Sequence, residues 1–158
     1  MLFDQNRALW DQLIIRRGLA ALDRAASLAG ERGSYALQAA IAACHARART
    51  PAETDWPRIA ALYDELVHLT PSPVIELNRA VAVAQAFGPE AGLALVETLT
   101  EEAALQNYHL LPAVRGDLLA RLGRLDEARV EFERAADLTR NERERELLLA
   151  RARPGPQE

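Results

Sequence analysis

Apolar residues recur at three- and four-residue spacing along almost the whole chain, and Gly and Pro fall in clusters that interrupt the pattern every ~10 to 20 residues, which predicts a succession of helices. The first runs from about Leu9 to Ala29, with Trp10, Leu13, Ile14, Gly18, Leu22, Ala25 and Leu28 near one stripe, and stops at Gly30 and Gly33. Ser34 is placed as the cap of the next, which extends to about Ala48. After a loop over Arg49 to Glu53, Thr54 or Asp55 caps a helix that carries Pro57 in its first turn and ends near Leu69. Thr70-Pro71-Ser72-Pro73 separates it from a helix at Val74 to Phe87, and Gly88-Pro89 separates that from one at Glu90 to Leu99. Further helices are expected near Asn107 to Leu122, Asp126 to Leu138 and, capped by Asn141, up to about Arg151. Residues 153–158 read as a disordered tail.

Every second helix carries a triplet at i, i+4, i+7: Gly18/Leu22/Ala25, Ile59/Tyr63/Leu66, Gly92/Val96/Leu99 and Ala128/Phe132/Ala135. A period of 30 to 40 residues in a helical chain predicts stacked helical hairpins. The best copy resembles the tetratricopeptide (TPR) repeat: Gly116 holds the small position of a first helix and Gly123 the turn. Ala128, Phe132 and Ala135 then hold the small, aromatic and small positions of the second helix. Pro112 stands where the pattern prefers Trp, and Arg140 where it prefers Pro. The expected fold class is therefore all-α, a TPR-like helical-hairpin solenoid of about eight or nine helices.

Composition supports helices: 31 Ala and 25 Leu stand against 18 Val, Ile and Thr together. All 19 basic residues are Arg, which removes P-loop, Schiff-base and pyridoxal-phosphate chemistry. The net charge of −4 argues against direct nucleic-acid binding by this domain alone. Absence of a long apolar run or a signal-peptide pattern predicts no membrane span and a cytoplasmic location. Cys44, the single cysteine, lies in an apolar run where a thiol behaves as a small buried hydrophobe.

His45, His68 and His109 have no metal-ligand spacing, and Ser27, Ser34 and Ser72 sit near helix ends where capping accounts for them. No catalytic residue, metal or cofactor is expected, and the chain is read as a non-enzyme. Asn78 and Arg79 interrupt the apolar run Leu77 to Ala84, where buried polar groups need partners. With Tyr108, His109 and Arg115 they form a candidate peptide groove; the competing reading pairs Arg79 with Glu76 or Asp117 between helices. Trp10, Trp56, Tyr63 and Phe132 are expected in the core, and the alternating Glu and Arg from Arg140 to Arg153 form a solvated face.

Several strings are more specific: Asp4-Gln5-Asn6-Arg7 before Trp10-Asp11, then Thr54-Asp55-Trp56, Leu62-Tyr63, Ser72-Pro73-Val74, Leu77 to Val83, Gly88-Pro89 with Ala91-Gly92-Leu93, and Tyr108-His109-Leu110-Leu111. In this order they resemble the C-terminal extension of a group of extracytoplasmic-function (ECF) sigma factors that carry TPR-like helices. The resemblance implies a longer polypeptide with sigma regions 2 and 4 ahead of this part. It also implies an interdomain contact through Asp4, Gln5, Arg7 and Trp10, with Asn6 where the family has a second Asp. Residues 1–8 are then a linker motif from the region 4 side and residues 9–152 the helical domain. The function implied is regulation of promoter-specific initiation through contacts with the sigma domains, RNA polymerase or a regulatory protein. The alternative is a stand-alone TPR adaptor that binds a partner's peptide and has no part in transcription.

Overall fold

The computed structural model describes residues 12–28 and 33–153, and among these the chain is all-α. Eight α-helices are described: α1 (Gln12–Leu28), α2 (Ser34–Arg47), α3 (Trp56–Leu69), α4 (Pro73–Phe87), α5 (Pro89–Thr98), α6 (Leu110–Arg121), α7 (Leu125–Leu138) and α8 (Glu142–Ala152). None is long and apolar enough to cross a membrane. The chain divides into two compact units, Met1–Pro71 and Ser72–Glu158.

In the first unit α2 packs against α1 and α3. Asp55 caps α3, its carboxylate accepting from the Arg58 backbone N–H at 3.0 Å, and Pro57 lies in the first turn where its missing donor costs nothing. The expected loop after α2 contains a 3-10 turn at Pro51–Glu53, held by the Glu53 carboxylate accepting from the Arg49 N–H at 3.0 Å. Ser34 does not cap α2: Gly33 takes the cap position and Ser34 is the first helical residue. Leu37, Ile41, Ile59, Leu62 and Leu66 form the buried centre of this unit.

In the second unit each helix packs mainly on its neighbours in sequence, α4 on α5, α5 on α6, α6 on α7 and α7 on α8. One core runs through it, built on Leu77, Val96, Leu111, Leu119, Phe132 and Leu148. The α6–α7 reversal is a Schellman turn. Gly123 takes φ +76°, the Arg124 N–H donates to the Leu119 carbonyl at 2.9 Å, and the Gly123 N–H donates to that of Ala120 at 3.0 Å. At the start of α8, the Asn141 side chain accepts from the N–H groups of Arg143 and Glu144 at 3.1 and 3.4 Å.

The ends at Leu69, Phe87 and Leu138 fall where expected, and the other described helix ends differ by at most three residues. The largest correction is α6, which begins at Leu110 rather than Asn107, because a 3-10 turn at Ala103–Leu105 and the residues after it intervene. Ser72 sits at the cap of α4 without a side-chain capping bond. The tail from residue 154 lies outside the described residues.

The small positions of the repeat pattern behave differently along the chain. A Cβ on Gly92 would lie 2.3 Å from the Ala84 Cβ and 2.9 Å from the Ala80 carbonyl, so α4 and α5 touch through backbone. A Cβ on Gly116 would lie 2.9 Å from the Phe132 ring. At Gly18 it would meet nothing within 4 Å, so the first triplet does not repeat this packing. Gly92→Ala should therefore cost about 1–3 kcal/mol by overpacking. Gly18→Ala should instead stabilise by about 0.5–1 kcal/mol, the helix-propensity difference. Urea midpoints of the two variants check this, and a neutral Gly92→Ala would refute the close approach.

Candidate functional site

Among the described residues, those singled out from sequence engage separate partners. Asp4, Gln5, Arg7 and Trp10 lie outside the described residues. Asn78 is exposed on α4. Arg79, half-buried one residue on, donates from Nη1 to Glu76 Oε2 at 3.3 Å; the partner is one of the two expected, but it lies on the same helix, so this pair does not bridge helices.

Arg115 is the most engaged polar side chain described. From α6 its Nε and Nη2 donate to Glu97 Oε1 on α5 at 3.1 and 2.9 Å, while Nη1 donates to Glu131 Oε1 on α7 at 2.5 Å. Desolvation alone would lower the guanidinium pKa, but the hydrogen bonds and charges of Glu97 and Glu131 outweigh it and raise it above the usual arginine range. Glu131 is 7% exposed, and its second oxygen, Oε2, is buried with no hydrogen-bond partner. Arg115 thus clamps three helices, and its guanidinium is occupied by carboxylates rather than presented to a peptide.

The sequence carried a signal for this clamp. Arg79, Arg115 and Arg151 follow one another at intervals of 36 residues, each beside the small residue Ala80, Gly116 or Ala152. Arg151 on α8 pairs with Asp117 on α6 and lies over the Phe132 ring, its Cζ 4.4 Å from the centroid. At the place 36 residues before Glu131 stands Leu95. Arg79 bonds Glu76, on its own helix.

Tyr108 and His109 precede α6 rather than beginning within it. His109 occupies the cap position, its Nε2 3.2 Å from Glu144 Oε2 of α8, and Thr139 Oγ1 donates to the same carboxylate oxygen at 2.6 Å. Tyr108 is half-buried against the core of this unit, its ring 5.8 Å from that of His109. His109, Thr139 and Glu144 therefore form a polar latch between the entry to α6 and the first turn of α8.

Two concavities belong to the first unit. One, about 450 Å³, is lined by Cys44, Arg47, Glu53, Asp55 and Arg58 among others. Cys44 is half-buried there rather than enclosed. Burial pushes its thiol pKa up, and the Asp55 charge adds to the effect, so it is a poor nucleophile at neutral pH. The other, about 500 Å³, is an apolar groove between α1 and α2. Trp56 meets the His45 ring edge-on at 5.2 Å, and Tyr63 is half-buried; neither points to a ligand.

No family model matches the chain, and no solved structure matches it. It is similar to an uncharacterized protein of Rhizobium meliloti (strain 1021), 50% identical over 142 residues that make up 89% of this chain and 33% of the relative. The chain spans about a third of the length of the curated relative it matches.

Proposed function

We propose that the chain is a non-catalytic, TPR-like domain of an ECF-type sigma factor and modulates promoter-specific initiation by binding, within the cytoplasm. The reading rests on the ordered strings from Asp4 to Leu111, which resemble that family's C-terminal extension over about residues 2 to 150. Two observations support it. Between α4 and α8 small residues and arginines keep a 36-residue register, Ala80/Gly116/Ala152 and Arg79/Arg115/Arg151, as hairpin repeats require. The relative is about three times as long as the matched segment, which leaves room for two further domains of ordinary size.

In this reading Asp4, Gln5, Arg7 and Trp10 dock the domain on the sigma region 4 side. A protein segment from the same polypeptide, RNA polymerase or a regulator lies along the first helices of the hairpins. With Arg115 committed to Glu97 and Glu131, Asn78 on α4 is the polar group available to grip that segment's backbone.

The test is transcription in vitro by RNA polymerase with the longer polypeptide and with a version cut just before Asp4. A change in promoter-specific initiation of tenfold or more is expected. Loss marks the domain as a positive element and gain as an internal inhibitor. Unchanged initiation overturns the reading.

A further inference from the structure

We draw no further inference here: the strongest candidate, the concavity between α2 and α3 lined by Cys44, Arg47, Glu53, Asp55 and Arg58, sets two arginines against two carboxylates around one thiol, and nothing in the structure shows what it would hold.

Discussion

Arg115→Met is expected to destabilise the protein by about 3–5 kcal/mol, the cost of leaving a buried carboxylate without its cation. Glu131 lies beneath the surface of the α6–α7 contact, with one oxygen bonded to Arg115 and the other already without a hydrogen-bond partner. Removing the guanidinium therefore strands both oxygens. The second arm of the fork is worth far less, because the Glu97 side chain is 44% exposed and water replaces what it loses. Glu97→Gln should cost under about 1 kcal/mol. Pairing Arg115→Met with Glu131→Leu should recover most of the loss, since an apolar pair of similar volume avoids the desolvation penalty. Denaturant unfolding of the four proteins gives the comparison. A single-variant loss under about 1 kcal/mol would mean that Glu131 reaches water.

Phe132→Ala should cost about 3–5 kcal/mol by the same measurement. The ring is 2% exposed, lies against Gly116 of α6 closely enough to exclude a Cβ there, and carries Arg151 of α8 on its face. Residues of α6 and α8 both lie against it, so its loss opens a cavity and removes the seat of Arg151. Gly116→Leu in the wild-type background is overpacked and should cost about 1–3 kcal/mol. Combined with Phe132→Ala it should cost less than the sum of the two, because the leucine refills the vacated space. Strict additivity would show that the two positions do not share that space.

The helices were legible because their boundaries are chemical. Pro57, Pro73 and Pro89 each stand in a first turn, Gly88 and Gly123 in a reversal, and Asp55 and Asn141 at caps. Burial was legible where a pattern repeats, as at Phe132 and Ala135. The α6 entry was misplaced because Asn107, Tyr108 and His109 are chemically compatible with a helix start. What decides otherwise is the 3-10 turn before them and the latch to Glu144. Glu131 was invisible for a similar reason: within Glu127 to Arg134 it looks like any other charge on a solvated face. Only the 36-residue spacing of the arginines, read against the small residues beside them, distinguishes a guanidinium that turns inward. At Arg79, where residue 95 is Leu, the carboxylate bonded is Glu76 on the same helix.

The nearest-neighbour packing of the second unit governs how this part of the chain is built and taken apart. Because α4 meets α5, α5 meets α6, and so on to α8, few contacts require distant segments to find one another, and little loop-closure entropy precedes the first stabilising interactions. Folding of this unit is therefore expected to propagate from one helix to its neighbour, at the rapid rate associated with low contact order. The same arrangement makes opening graded: α8, held by Leu148, Ala152, Arg151, Arg145 and the Glu144 latch, is expected to detach while α6 and α7 stay closed. Molecular evolution meets the same geometry, since a change at one helix–helix contact of this unit disturbs that contact and leaves the others largely intact.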